Sequence, residues 1–342
     1  MKISILIPAH NEERSIKATV ESCLNQTRPA DEVLVVNDGS TDKTGEILAT
    51  FGDRIQVITI PVATGNKSYA QEYGLKFVTG DVFIATDADK IMDKHFVERI
   101  EPHFNSAKVT AVAGYVKSLK NNWLTACREI DYVIGQDLHK VAQANMNFLF
   151  VIPGCAGAFR TEKFREVIRF EHDTLTEDLD FTYKMHTNYS DIAYENKAYV
   201  YTQDPFTLYA YINQIRRWYS GGWQNLKKHL PNVIGRPLIA LELSLIYIEG
   251  LIFSTLLFIM PFLSLKFFFL YLLTNLVFVI AISSYAALKR NRWDLLMYSP
   301  LYMILVFVNA VVFLEQFASE ILMGRKLEVW FKPERSKESL TQ

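Results

Sequence analysis

Val82-Phe83-Ile84-Ala85-Thr86-Asp87-Ala88-Asp89 reads as a short buried strand that ends in two carboxylates. The apolar run is too short for a helix of ordinary length and is followed at once by a polar turn, which predicts a strand. Toward the N-terminus, residues 3–7 read as a first strand and residues 15–24 carry helical spacing. Residues 32–36 form a second strand, closed by Asn37-Asp38-Gly39-Ser40. Residues 42–51 follow as a helix, residues 55–60 as a third strand and residues 69–77 as another helix. Strand and helix alternating at this pace predict an α/β domain with a mainly parallel, Rossmann-like sheet and helices on both faces. Ligands of such sheets bind at the carboxyl ends of the strands. Residues 37–41 and 87–89 are therefore expected to line one crevice.

The chain has 342 residues, enough for two units. Half of them are hydrophobic and the net charge is -1, so no electrostatic case exists for a nucleic-acid partner. Cys23, Cys127 and Cys155 are far apart and odd in number, which indicates neither a zinc site nor a disulfide framework. The opening apolar run ends at Pro8, Asn11, Glu12 and Glu13, too short for a signal peptide. The first half is accordingly expected in the cytoplasm.

Composition changes beyond Pro237. Residues 238–263, 267–288 and 298–322 are three long apolar stretches, each of a length that crosses a bilayer. The third carries Asn309, Glu315, Gln316 and Glu320, which are costly in lipid and are expected to face protein or water. In the first, Glu242 and Glu249 are seven apart and are expected on one helix face. Lys289, Arg290 and Arg292 place the second loop inside by the positive-inside rule. The basic residues after the third stretch, Arg325, Lys326, Lys332 and Arg335, conflict with an exported tail. Before the apolar region, residues 206–235 mix aromatic and basic side chains in a pattern suited to a membrane interface.

Four clusters could carry chemistry. Pro8, Ala9, His10 and Glu12, with Asp38, follow the first two strands and could hold a nucleoside, although Asp38-Gly39 is also ordinary turn chemistry with Ser40 or Thr41 as a helix cap. Asp87 and Asp89 are hard oxygen ligands that could share Mg2+ or Mn2+ on a diphosphate, or merely form a polar loop. In Thr176-Glu177-Asp178 a carboxylate could act as general base, or the acids could open a helix. Gln214, Arg217 and Trp218 share one helix side, where a guanidinium can hold a diphosphate and an indole can stack on a sugar. The alternative there is an interfacial basic-aromatic helix. Lys67 could reach a phosphate, and the small-residue run 154–158, with Cys155, could admit an acceptor.

The order Asp38, Asp87-x-Asp89, Thr176-Glu177-Asp178, Gln214-x-x-Arg217-Trp218, followed by apolar stretches, resembles the family 2 inverting glycosyltransferases. The resemblance is to the membrane-integrated branch, the synthases of cellulose, chitin, hyaluronan and poly-N-acetylglucosamine. It implies a GT-A fold, a nucleotide-sugar donor, usually a UDP-sugar, and a β-linked product. By resemblance, Pro8, Ala9, Glu12, Asp38, Lys67, Asp87 and Arg217 bind donor, and Asp87 with Asp89 hold the metal. Asp178 is the base with Glu177 beside it, while Cys155, Gln214 and Trp218 bind acceptor. The resemblance divides the chain into a cytoplasmic catalytic domain (1–205), an interfacial segment (206–235), a transmembrane region (236–324) and a polar tail (325–342). A lipid bilayer and a carbohydrate or lipid-linked acceptor are the implied partners, with an oligomer or an accessory subunit open. Two other readings stay open: a single-addition enzyme on a ceramide- or polyprenyl-type lipid, and a nucleotide-binding transport or scaffold protein.

Overall fold

The structure, a computed structural model, describes residues 1–327 except 147, 189, 234 and 236. In chain order it contains β1 (Ile3–Ala9), α1 (Ile16–Leu24), β2 (Glu32–Asp38), α2 (Thr44–Ala49), β3 (Gln56–Ile60), α3 (Lys67–Leu75), β4 (Val82–Ala85), β5 (Lys90–Met92), α4 (Phe96–Ile100) and β6 (Val109–Ser118). There follow α5 (Trp123–Tyr132), α6 (Lys140–Asn145), β7 (Gly157–Arg160), α7 (Thr161–Lys163), α8 (Glu177–Thr187) and β8 (Asp191–Thr202). The chain continues with α9 (Leu208–Val233), α10 (Pro237–Leu243), α11 (Glu249–Leu263), α12 (Leu265–Arg290) and α13 (Ser299–Phe317). Two compact units result. Of the described residues, one holds Met1–Lys117 and Lys140–Gln203, the other Ser118–His139 and those from Asp204 to residue 327.

The first unit is built on an eight-stranded sheet in the order β3-β2-β1-β4-β7-β6-β8-β5. Its first half is parallel: β1 pairs with β2 and β4, and β2 with β3. All seven residues of β1 are buried, as a central strand covered on both faces requires. Its second half is mixed, because β7 runs antiparallel to both β4 and β6, and β5 antiparallel to β8. The expected α/β class therefore holds with a mixed sheet. Leu6, Leu34, Phe83, Phe159, Phe164 and Phe181 belong to the core that seats these strands.

The second unit is helical. Three of its helices are long and apolar enough to cross a membrane: Ala240–Leu263, Leu265–Arg290 and Trp293–Leu322. In the second of them only 6% of the most apolar window is covered by protein. Such a surface in water exceeds what a soluble protein leaves open. The third keeps its polar residues against α9. Tyr211 donates to Asn309 Oδ1 (2.8 Å), Arg216 pairs with Glu315 (3.0 Å), and Ser220 and Gln224 donate to the buried Glu320. Glu320 is buried against protein and Asn309 is hydrogen-bonded within it, whereas Glu315 stays exposed and meets its cost by pairing with Arg216. Glu242 and Glu249 do not keep a shared α-helical face, because a π-helical stretch, Ser244–Ile248, lies between them and changes the phase of the helix. The tail beyond residue 327, with Lys332 and Arg335, lies outside the described residues.

Candidate active site

Two polar groups form at the carboxyl ends of the parallel strands. The first lies after β1 and β2. Pro8 and Ala9 are buried in β1 and pair with Val36 and Asn37. Asp38 is 5% exposed, and its carboxylate accepts from Thr64 N–H (2.9 Å) and from Thr64 Oγ (2.7 Å). Gly39 has φ +56°, and a Cβ there would come within 2.2 Å of the Ala63 nitrogen. Glycine is thus what lets residues 62–64 close onto Asp38. The loops are stitched together: Asn11 N–H donates to Ser40 Oγ (3.0 Å), Thr41 N–H to Asn11 Oδ1 (2.8 Å), and Glu12 N–H to Thr44 Oγ1 (2.7 Å). His10 Nδ1 lies 2.6 Å from the Asp38 carbonyl. Neither Ser40 nor Thr41 caps α2: its N-cap is Lys43, without a side-chain capping bond, and Asp42 just before it accepts from Thr44 N–H at 2.9 Å. The buried Oδ1 of Asn37 has no hydrogen-bond partner among the described residues.

The second group centres on Lys67, the first residue of α3. Asn66 caps that helix by accepting from Ser68 N–H (3.0 Å). Lys67 Nζ lies 2.5 Å from Asp87 Oδ1 and 2.8 Å from Glu177 Oε1. Burial opposes the ammonium charge, yet Asp87 and Glu177 outweigh it and hold the Lys67 pKa well above the ordinary lysine value. Gly154 faces the same point: a Cβ there would stand 3.2 Å from Glu177 Oε1, and 3.4 Å from Asp178 Cβ and Lys67 Nζ. The Asp178 carboxylate accepts from Gly154 N–H (3.4 Å) and from Leu179 N–H (2.9 Å). Helix α8 begins at Glu177, and Thr176 precedes it without a side-chain capping bond. Asp89 is buried, 2.9 Å from Lys90 Nζ.

Cys155 lies next to this group. Burial, helped by Asp87 and opposed by Lys90 and Lys67, pushes its thiol up to about 12. A thiol in that state is neither a nucleophile nor a soft metal ligand near neutral pH. Lys140, on α6, was not singled out in the sequence. It is 7% exposed and lies within electrostatic reach of Asp178 and Cys155. Burial brings its pKa down to about 8, although both of those neighbours act to raise it. No motif surrounds it, so nothing in the sequence marks it.

Among the described residues, one cluster of three acids has the spacing of a metal site: Glu171, Asp173 and Asp180. The Lys184 ammonium already lies 2.8 Å from Glu171 and 2.7 Å from Asp180. The sequence points instead to Asp87, in the Lys67 group, and to Asp89, which pairs with Lys90. Gln214, Arg217 and Trp218 belong to the second unit, on α9. The buried Oε1 of Gln214 has no hydrogen-bond partner among the described residues.

Residues 4–167 match the family described as Glycosyl transferase family 2. The chain carries a family 2 glycosyltransferase domain. It is 30% identical over 239 residues to the probable glycosyltransferase YdaM of Bacillus subtilis, covering 67% of this chain and 57% of that protein. It is 28% identical over 228 residues to the poly-beta-1,6-N-acetyl-D-glucosamine synthase of Staphylococcus epidermidis, covering 66% and 55%. The match thus spans a little over half the length of these relatives. Among solved structures, a mannosyltransferase from Pyrobaculum calidifontis in complex with GDP-Man and Mn2+ superposes with a TM-score of 0.62 at 18% identity, covering 92% of this chain and 87% of that one. S. aureus TarS in complex with UDP-GlcNAc follows with 0.52 at 17%, covering 95% and 93%. The glycosyltransferase domain therefore has the GT-A fold, followed by helices long and apolar enough to span a membrane.

Proposed function

We propose that the chain is a membrane-bound inverting glycosyltransferase that adds sugars from a nucleotide-diphosphate donor to a growing polysaccharide, forming a β-linkage. The observation that carries this reading is the convergence of Lys67, Asp87, Gly154, Glu177 and Asp178 on one point of the sheet edge. These residues come from four separate stretches, and a nucleotide-binding or scaffold protein has no need of Asp178 there. A UDP-sugar is the donor favoured by the likeness to a poly-N-acetylglucosamine synthase.

Each residue has a task its chemistry suits. Asp38 accepts from the nucleobase or ribose, with Pro8, Ala9 and Glu12 shaping the strand ends around it. Lys67 is a compact cation beside Asp87 and balances diphosphate charge. Asp178 takes the proton from the acceptor hydroxyl as that oxygen attacks the anomeric carbon from the face opposite the diphosphate. Its two N–H partners orient the carboxylate, and Gly154 leaves open the space a Cβ would fill. Arg217 holds the diphosphate, and Gln214, Trp218 and Cys155 serve the acceptor. Asp87 and Asp89 fit a hard divalent ion, Mg2+ or Mn2+: they are two carboxylates of one turn, and each holds an ammonium ion within 3 Å here. When bound, such an ion neutralises charge on the leaving diphosphate.

The membrane setting rests on the three apolar helices. Arg290, at the end of α12, pairs with Glu129 (2.6 Å) and Asp137 (3.3 Å). This pairing supports the view that the basic loop lies on the membrane side from which residues 118–139 come, taken as the cytoplasm. A second reading is single addition to a lipid acceptor, favoured by the small number of apolar helices. Full-length protein incubated with a panel of UDP- and GDP-sugars, Mg2+ or Mn2+, and excess donor separates these readings by product mass. A ladder supports repeated addition. One added sugar on a lipid establishes the second reading, and no transfer from any donor removes both.

A further inference from the structure

Arg128, on α5, is 5% exposed, an unusual degree of burial for arginine. Its guanidinium lies over three aromatic rings, with centroids at 5.0 Å for Tyr132, 5.0 Å for Trp218 and 5.6 Å for Tyr211. Two carboxylates hold the charge in place. Arg128 Nη1 is 2.8 Å from Asp131 Oδ2, and Arg128 Nε is 3.9 Å from Asp204 Oδ1. Both acids are fixed in turn, since Tyr302 donates to Asp131 (2.7 Å) and Tyr132 to Asp204 (2.9 Å). Every one of these residues belongs to the second unit. Trp218, by contrast, is 37% exposed. Its indole lies beside a buried, ion-paired guanidinium while more than a third of the residue's surface stays open.

We propose that Arg128 is a positioning residue that fixes the Trp218 indole as a flat platform for the acceptor sugar. The inference rests on the reading of Trp218 as the acceptor platform and adds what holds it there. An indole on an exposed helix face turns about two side-chain bonds. A sugar gains from stacking only if the ring already lies in one plane, since ordering it on binding would consume the contact energy. A planar guanidinium supplies that order from behind. It stacks on rings in a way an ammonium does not, and its position is set by Asp131 and Asp204. Asp131 is bonded to Tyr302 of α13, so the platform is tied to the third apolar helix.

The test uses full-length protein in detergent, UDP-GlcNAc as donor and a β-linked N-acetylglucosamine pentamer as acceptor probe. Arg128→Lys keeps the buried charge and removes the guanidinium from over the rings. It should raise KM for the pentamer about 5- to 30-fold, the equivalent of a cation–π contact, while kcat at saturating pentamer and Kd for UDP stay within about twofold. Trp218→Ala should raise that KM at least as far, and the double variant no further, because one platform is lost only once. An unchanged KM in Arg128→Lys beside a raised KM in Trp218→Ala overturns the positioning role and leaves the acceptor reading standing. An unchanged KM in Trp218→Ala sinks both. A readout independent of the acceptor is acrylamide quenching of Trp218, taken as the difference from Trp218→Phe. Arg128→Lys should make the indole more quenchable, and equal quenching in a variant that keeps its thermal midpoint overturns the proposal even if the pentamer is not a substrate.

Discussion

Lys67 and Arg128 are two mostly buried cations, one in each unit, each lying between two carboxylates. Lys67 has Asp87 and Glu177 at 2.5 and 2.8 Å; Arg128 has Asp131 and Asp204 at 2.8 and 3.9 Å. Their surroundings differ. Lys67 has two acids and the backbone space of Gly154 beside it, and its side chain keeps 21% of its surface open. Arg128 is roofed by three aromatic rings. An ammonium among acids can exchange partners when an anion arrives. A guanidinium walled by rings cannot move without dismantling its pocket. The same charge pattern thus suits an exchangeable site in the first unit, as proposed, and a scaffold in the second.

The largest effect should fall on the residue next to the exchangeable cation. Asp178→Asn should lower kcat on the order of 10²- to 10⁴-fold, the usual cost of losing a general base, with UDP affinity retained. Turnover and UDP titration on one preparation check this together; turnover near the wild-type value would remove Asp178 from the mechanism. Arg128→Met should act on stability instead. Leaving the buried Asp204 and the partly buried Asp131 without their cation costs up to about 3–5 kcal/mol. A thermal midpoint that does not fall in Arg128→Met would erase the distinction between scaffold and site.

A smaller effect sharpens the Lys67 side of the contrast. Lys67→Met leaves Asp87 and Glu177 without their ammonium, so UDP should bind more weakly without metal and recover when Mn2+ is added. The ratio of UDP Kd without and with Mn2+ should widen. In Asp89→Ala it should narrow, because one of the two hard ligands is gone. If both variants keep the wild-type ratio, the Asp87–Asp89 turn is a loop and not a cation site.

The parallel half of the sheet was legible in the sequence because β1, β2 and β4 are apolar runs separated by amphipathic helices. The mixed half was not. β5 and β7 have three and four residues, too few for any periodicity to show, and their antiparallel pairing is decided by partners far along the chain. The Lys67 group was half legible. Asp87, Asp89, Glu177 and Asp178 lie in recognisable runs at element ends, whereas the approach of Gly154 depends on the tertiary fold. Asn309, Glu315 and Glu320 announced a side facing protein or water by their cost in lipid, but not that α9 would supply their partners. The segment Ser118–His139 joins the second unit through buried side chains such as Arg128, and a lone arginine inside an amphipathic helix reads as surface. Lys140 escaped for the same reason.

Lys140 offers the finest test, because it is a lysine of the first unit without the close carboxylate pair that Lys67 has. Burial depresses its pKa from the ordinary lysine value to about 8. In the unfolded chain it keeps a proton up to its ordinary value. Between these two limits the unfolded state binds more protons than the folded one, so stability should rise with pH over that window. Below pH 8 the buried charge is present and its desolvation cost is carried in full. Lys140→Met removes that cost, so its thermal midpoint at pH 7 should exceed that of the wild type, and its rise between pH 8 and 10 should flatten. The same substitution removes a positive charge from the surroundings of Asp178. An opposite charge favours the ionised carboxylate, so its loss should move the acid limb of the kcat/KM profile to higher pH, by about one unit or less. The two readouts separate structure from chemistry: a changed midpoint with an unmoved acid limb would make Lys140 a packing residue, and a moved limb would make it the group that keeps Asp178 ready to accept a proton.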